Sequence, residues 1–151
     1  MPLSAAIGLA GVNYCLRRQN SSLSCVRTRR LNKMRAKGKN PFSVHLIADL
    51  ESPRFIEDAK KLKKILWEAA EVANNIPLKT SIHKFPLQGI TGVVLLAESH
   101  IAIHTWPEHG FIAVDIFTCG KQTKPYSALK YLKKVFRPKK TKVLFIKRGK
   151  Q

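Results

Sequence analysis

Residues 92–118 read GVVLLAESHIAIHTWPEHGFIAVDIFT and contain three apolar runs separated by short polar stretches. The runs cover residues 92–97, 101–106 and 111–118, and their alternation and β-branched content predict three strands. Because the connections between them are of hairpin length, we expect the strands to pair antiparallel.

Three further strands and two helices are predicted around this centre. The flanking strands cover residues 43–50, 79–85 and 142–147. Ser52 and Pro53 resemble a helix start, with Ser as the N-cap and Pro in the first turn, and Asn74-Asn75 marks the end. The apolar positions of this first helix recur at steps of three or four: Phe55, Ala59, Leu62, Leu66, Ala69 and Ala73.

The second helix is predicted to begin at Pro125, with Leu129, Leu132 and Phe136 on its inner face. The order of elements favours an α+β fold, a two-layer sandwich in which an antiparallel sheet is covered on one face by two helices. The other sheet face would stay bare. We therefore expect a homodimer in which two sheets pack face to face.

The charge of the chain is unevenly distributed. The net charge is +19, from 28 basic and 9 acidic residues, and residues 1–40 hold nine of the basic residues and no acid. Residues 41–151 carry the other 19 basic residues and all 9 acids, and are predicted to form the folded domain. For residues 1–40 three interpretations compete: a disordered basic arm, an organelle transit peptide, or translated sequence ahead of a true start near Met34, which we favour.

Cysteine content and hydropathy indicate where the protein works. Cys15, Cys25 and Cys119 are an odd number without CxxC spacing, which favours a reducing compartment, the cytoplasm. No stretch approaches the roughly 20 apolar residues that span a bilayer, so no membrane association is expected.

The chemically distinctive residues lie between positions 85 and 120. A metal site built on His100, His104 and His109 is disfavoured, because four residues along a strand span about 13 Å. A serine hydrolase built on Ser99 and a histidine lacks the G-x-S-x-G elbow. Neither hypothesis explains why Ser99, two histidines and Cys119 follow one another at strand ends.

Residues 95–120, LLAESHIAIHTWPEHGFIAVDIFTCG, resemble the signature region of the bacterial and archaeal S-adenosylmethionine decarboxylases. The similarity extends more weakly over residues 44–148. It implies self-cleavage between Glu98 and Ser99, in which the Ser99 hydroxyl attacks the preceding carbonyl and converts the amide to an ester. His104 matches the base that removes the Ser99 α-proton, so that elimination leaves a covalently bound pyruvoyl group at the new N-terminus.

The resemblance also implies how the mature enzyme works. The pyruvoyl ketone forms a Schiff base with the substrate amine and withdraws electrons as carbon dioxide leaves, without pyridoxal phosphate or metal. Cys119 matches the proton donor in catalysis. Phe85 matches an aromatic residue that stacks on adenine, and Glu108 matches a substrate-binding carboxylate.

Two positions depart from the family pattern. Thr91 stands where the family usually has a serine near the cleavage site, and it keeps the hydroxyl. The loop at residues 50–53 is shorter by about two residues and lacks the Cys-Asp pair that the family has there, a difference that bears on the substrate.

Three functions compete. The leading hypothesis is decarboxylation of S-adenosylmethionine for polyamine (spermidine) synthesis by a homodimer whose protomers are each cleaved into two chains. The second keeps the chemistry but takes arginine or ornithine. The third, a basic nucleic-acid-binding protein, explains the charge but leaves Ser99, His104 and Cys119 unexplained, and the lysine-rich side of the first helix is typical of a solvated face.

Overall fold

A computed structural model describes residues 43–149 of the chain. Residues 1–40, for which an arm or a mis-assigned start is predicted, lie outside the described residues. The elements are, in chain order, β1 (Ser43–Glu51), α1 (Ala59–Val72), β2 (Pro77–Lys84), β3 (Ile90–Leu96), β4 (Ser99–Trp106), a 3-10 turn (Pro107–His109), β5 (Phe111–Cys119), α2 (Pro125–Phe136) and β6 (Lys140–Arg148).

The six strands form one sheet in the order β2-β3-β4-β5-β1-β6. Every neighbouring pair is antiparallel, and β2, β3, β4 and β5 follow one another as a meander. The predicted α+β class and antiparallel sheet are confirmed.

Both helices pack on the same face of this sheet, as predicted. Alternate residues of the central strands are fully buried, as along β5, where Ile112, Val114 and Ile116 join Leu66 and Phe136 in one apolar core. The alternation follows from the period of two along a strand.

The intervening strand residues lie on the opposite side, which we call the open face. In the central strands its members are only partly buried: His45, Ile47, His100, Ala102, His104, Ala113, Asp115 and Phe117. Neither described helix covers it.

The predicted start of the first helix was wrong. α1 begins at Ala59, and Asp58 is its N-cap, accepting hydrogen bonds from the backbone N–H of Lys60 (2.8 Å) and Lys61 (3.1 Å). Ser52 has a φ of 48°, and its N–H donates to the Gly110 carbonyl at 2.7 Å. This long-range bond and the left-handed backbone hold residue 52 outside any helix, so Pro53 and Phe55 lie in a connecting segment.

The other predicted elements are confirmed, with small changes at their ends. α2 begins at Pro125, where a missing N–H costs nothing in the first helical turn. Ala97, predicted to end a strand, lies in the turn between β3 and β4, and Ser99 begins β4 instead of following β3. None of the helices within residues 43–149 is long and apolar enough to cross a membrane.

Leu66 offers a direct test of how α1 is anchored on the sheet. Its side chain is fully buried, whereas Leu87 is 97% exposed. Leu66→Ala should lower the free energy of unfolding by about 2–5 kcal/mol because it leaves a cavity between helix and sheet. The matched control Leu87→Ala should change it by less than about 0.5 kcal/mol.

The unfolding free energies are measured in urea. Both substitutions are placed in a chain that also carries Ser99→Ala, so that cleavage does not complicate the transition. Equal effects of the two Leu→Ala changes would contradict this packing of α1.

Candidate active site

Ser99 lies directly after the two-residue turn that joins β3 to β4. Leu96 and Ser99 pair across this hairpin, and Ala97 and Glu98 form its tip. The φ angle of Ser99 is 145°, a conformation that residues with a side chain rarely adopt. Such backbone strain costs of order 1–3 kcal/mol and concentrates at functional sites. Here the strained residue is Ser99, which directly follows the predicted cleavage bond.

Glu98 is held at both its carbonyl and its carboxylate. The Glu98 carbonyl oxygen accepts a hydrogen bond from the Cys119 N–H at 3.1 Å. The residue is buried, 6% exposed, and its carboxylate accepts a hydrogen bond from the Ile76 N–H at 2.9 Å. The carbonyl that Ser99 would attack therefore already faces a fixed backbone donor, the arrangement that stabilises a developing oxyanion.

Cys119 ends β5 beside this turn. Burial raises the pKa of its thiol above the ordinary value, and the nearby Glu98 carboxylate raises that pKa further. A thiol with a raised pKa stays protonated at neutral pH, as a proton donor must be. The structure thus places Ser99, Glu98 and Cys119 together at one end of the sheet.

His100 is the next side chain at this end. Its Nδ1 lies 3.2 Å from the Ser99 hydroxyl oxygen, and its ring packs edge-on against Phe117 at 5.8 Å between ring centroids. His45 Nε2, behind it on β1, lies 3.3 Å from an Asp115 carboxylate oxygen. The sequence singled out His100 only as a possible metal ligand. The signal that was missed is its position directly after Ser99 at a tight turn.

His104 lies toward the other end of β4. Its Nδ1 is 3.0 Å from the Thr91 hydroxyl oxygen, and the two residues pair directly across β3 and β4. The hydroxyl retained at Thr91 therefore orients this ring. Five residues along a strand span about 16 Å, so His104 does not reach Ser99 within one chain.

Phe85 and Glu108 share the His104 end of the sheet. Phe85 is 45% exposed and begins a tight turn in which its N–H donates to the Gly89 carbonyl. Gly89 has a φ of 87°, and a Cβ there would lie 2.8 Å from the Thr105 carbonyl oxygen, so only glycine fits. Gln88, in the same turn, donates to the Glu108 carboxylate at 3.2 Å, which joins the two predicted substrate-binding residues.

The predicted residues therefore form two groups at opposite ends of the β3–β4 hairpin. Ser99, Glu98 and Cys119 form the cleavage group, and His104, Phe85 and Glu108 form the distal group. Within residues 43–149, no three His, Cys, Asp or Glu side chains lie close enough together to hold a metal ion.

Comparison with known proteins identifies the family. The sequence model of the S-adenosylmethionine decarboxylase family matches residues 44–149, nearly the whole described part of the chain. The chain belongs to this family. The match covers almost the same residues as the resemblance found in the sequence, which is confirmed.

Relatives and a solved structure agree with this membership. A protein of Thermodesulfovibrio yellowstonii named S-adenosylmethionine decarboxylase proenzyme is 44% identical over 107 residues, covering 70% of this chain and 79% of the relative. A Methanococcus maripaludis protein of the same name is 43% identical over 108 residues, covering 70% and 88%. The crystal structure of the adenosylmethionine decarboxylase from Aquifex aeolicus VF5 superimposes with a TM-score of 0.68 at 36% identity, covering 75% of this chain and 95% of that one.

Membership in the family decides among the three functions that the sequence left open. The relatives support the S-adenosylmethionine hypothesis. Neither the arginine or ornithine alternative nor the nucleic-acid alternative is supported by them.

Proposed function

We propose that this chain cleaves itself between Glu98 and Ser99 and, as the processed enzyme, decarboxylates S-adenosylmethionine. The observation that carries the proposal is the strained Ser99 backbone next to a Glu98 carbonyl that already accepts the Cys119 N–H. The identity of the substrate is inferred from family membership. The position of the cleaved bond is supported by the geometry at Glu98 and Ser99.

Processing begins when the Ser99 hydroxyl oxygen attacks the Glu98 carbonyl carbon. The Cys119 N–H stabilises the oxyanion, and breaking the C–N bond leaves an ester and a free Ser99 amine. Removal of the Ser99 α-proton then expels the main-chain carboxylate of Glu98, the new C-terminus of the first chain, by β-elimination. Hydrolysis of the remaining enamine releases ammonia and leaves the pyruvoyl group.

The cleavage site suits a pyruvoyl group. Ser99 is partly buried and opens β4, so the new N-terminus stays fixed by strand pairing on both sides. When present, the group supplies a ketone that binds the substrate amine and withdraws electrons during loss of carbon dioxide. Cys119 provides the proton that replaces the lost carboxyl group on the α-carbon of the substrate.

A complete site requires a second copy of the chain. The α-proton of Ser99 needs a base, and His104 of the same protomer is about 16 Å away by strand rise. Two open faces related by a two-fold axis perpendicular to the strands run antiparallel. Such a homodimer places the distal group of one protomer over the cleavage group of its partner.

The open face has the composition that this packing requires. Ile47, Ala102 and Ala113 lie toward its centre, Phe117 lies toward the cleavage group, and all four are only partly buried. At its margin Leu95 is 51% exposed and Trp106 is 38% exposed. Covering these side chains with a second sheet is favourable by about 25 cal/mol per Å² of apolar surface.

Phe85 and Glu108 are assigned to the substrate. The half-exposed Phe85 ring offers a flat apolar surface for adenine, and the Glu108 carboxylate accepts hydrogen bonds from ribose hydroxyls. Both belong to the distal group, so in the dimer they bind the substrate that reacts with the partner's pyruvoyl group.

We assign the activity to residues 41–151 and place the protein in the cytoplasm. The family match, residues 44–149, falls inside this range, and so does every residue that is given a role above. Cys119 is a free thiol, which a reducing compartment maintains.

The substrate assignment predicts the outcome of a side-by-side assay. Carbon dioxide release by the processed protein is measured with S-adenosylmethionine, arginine and ornithine, and only S-adenosylmethionine should be turned over efficiently. Glu108→Gln should raise KM by about tenfold or more, because a neutral amide is the weaker acceptor for ribose hydroxyls. Glu71→Gln, on the exposed side of α1, is the matched control and should leave KM unchanged. A preference for either free amino acid would overturn the substrate while leaving self-cleavage intact.

A further inference from the structure

We propose that His100 is the base that accepts the hydroxyl proton of Ser99 in the first step of self-cleavage. The inference rests on the proposed function, since it assigns a residue to one of its steps. It separates two proton transfers, one from the Ser99 hydroxyl and one from the Ser99 α-carbon, and gives them to different histidines.

The contact between Ser99 and His100 carries the inference. The Ser99 hydroxyl oxygen and His100 Nδ1 are 3.2 Å apart, within reach for direct proton transfer. Two carboxylates near the turn have other hydrogen-bond partners. The Glu98 carboxylate accepts the Ile76 N–H, and Asp115 contacts His45.

The surroundings of His100 keep it a neutral base. Burial lowers the pKa of His100, and the neighbouring His45 lowers it further, whereas Asp115 acts in the opposite direction. A histidine with a lowered pKa is uncharged at neutral pH. With its proton on Nε2, it has a free electron pair on Nδ1, the atom that faces Ser99.

Packing holds the ring in this position. Phe117 lies edge-on to the His100 ring and also packs against His45, with 5.3 Å between the ring centroids of Phe117 and His45. The Arg148 guanidinium lies over the same Phe117 ring, 5.1 Å from its centroid. Phe117 on β5 thus supports the His100 ring directly, and His45 on β1 and Arg148 on β6 pack against Phe117 in turn.

The step balances without any further reagent. The hydroxyl proton moves to His100 Nδ1 as the Ser99 oxygen bonds to the Glu98 carbonyl carbon, and the oxyanion is held by the Cys119 N–H. The C–N bond then breaks, and His100 returns the proton to the departing Ser99 nitrogen. His100 is neutral before and after, and the product is the ester on which the second histidine acts.

The test follows cleavage of His100→Gln, whose amide cannot act as a base. Cleavage should slow by at least about 100-fold, the usual minimum for loss of a general base. The uncut chain should resist hydroxylamine, which cleaves esters and leaves amides, because the defect precedes ester formation. His109→Gln, an exposed histidine on the 3-10 turn, is the matched control and should be cut at the normal rate.

A second background separates proton transfer from a merely structural effect. Ser99→Cys replaces the hydroxyl with a thiol of pKa about 8.5, which ionises with far less help. The factor by which His100→Gln slows acyl transfer is compared in the two backgrounds. It should be at least about tenfold smaller in the Ser99→Cys chain than in the chain that keeps Ser99. Circular dichroism verifies folding, and His100→Asn replaces the glutamine variant if that variant does not fold.

Each outcome has a definite consequence. Normal cleavage of His100→Gln, or accumulation of a hydroxylamine-sensitive ester, overturns the assignment. So does an equal penalty in both backgrounds. If the unsubstituted chain itself stays uncut between Glu98 and Ser99, the proposed function fails, and this result is distinguishable from all the others.

Discussion

Replacing Ser99 with alanine should leave a single uncut chain with no decarboxylase activity above background. No hydroxyl remains to attack the Glu98 carbonyl, so neither the ester nor the pyruvoyl group can form. The measurement is denaturing gel electrophoresis combined with carbon dioxide release from S-adenosylmethionine. Both readouts should change together, because in the proposed mechanism Ser99 both attacks the Glu98 carbonyl and becomes the pyruvoyl group.

The matched control for this substitution is Ser81→Ala. Ser81 lies exposed on β2, away from the hairpin tip, and its loss should leave cleavage and turnover unchanged. Cleavage of Ser99→Ala at the bond after Glu98 would remove Ser99 from its role as nucleophile.

Replacing His104 with alanine should stop processing one step later. The ester forms, but the Ser99 α-proton has no base, so the chain accumulates in a form that hydroxylamine splits into two fragments. The rate of maturation should fall by about 100-fold or more. A His104→Ala chain that matures at the normal rate would reassign His104 to packing beside Trp106, its ring neighbour.

Co-expression of Ser99→Ala and His104→Ala chains tests whether the site is shared between protomers. In a mixed dimer, the His104→Ala chain supplies an intact Ser99 and the Ser99→Ala chain supplies an intact His104. One of the two sites is then complete, so His104→Ala chains in mixed dimers should mature. Absence of maturation in isolated mixed dimers would contradict the proposed face-to-face arrangement.

Much of the fold follows from local sequence patterns. The alternating strands around residues 92–118 are predictable because period-two burial leaves a direct trace in the sequence. The start of α2 is predictable because a proline such as Pro125 fits the first turn of a helix but not its interior. The start of α1 was mispredicted because bonds to distant residues, such as that from Ser52 to Gly110, hold the preceding segment away from the helix.

The candidate site, like the fold, was only partly predictable from the sequence. The resemblance pointed to Ser99, Cys119 and His104, but their separation into two groups depends on strand register and on the open face. Ser99 and His104 are five residues apart along β4, about 16 Å, which is too far for proton transfer within one chain. The proposed chemistry therefore needs a second protomer. His100 lies 3.2 Å from the hydroxyl of a Ser99 whose φ is 145°, and neither the distance nor the angle can be read from sequence patterns.

The mass of the purified, unsubstituted protein under denaturing conditions tests the central claim most directly. Self-cleavage predicts two chains that meet between Glu98 and Ser99. The chain that begins at position 99 should carry a pyruvoyl group in place of the serine and should lack a free N-terminal amine. A single intact chain, a break at another bond, or a fragment that begins with an ordinary serine would contradict the account.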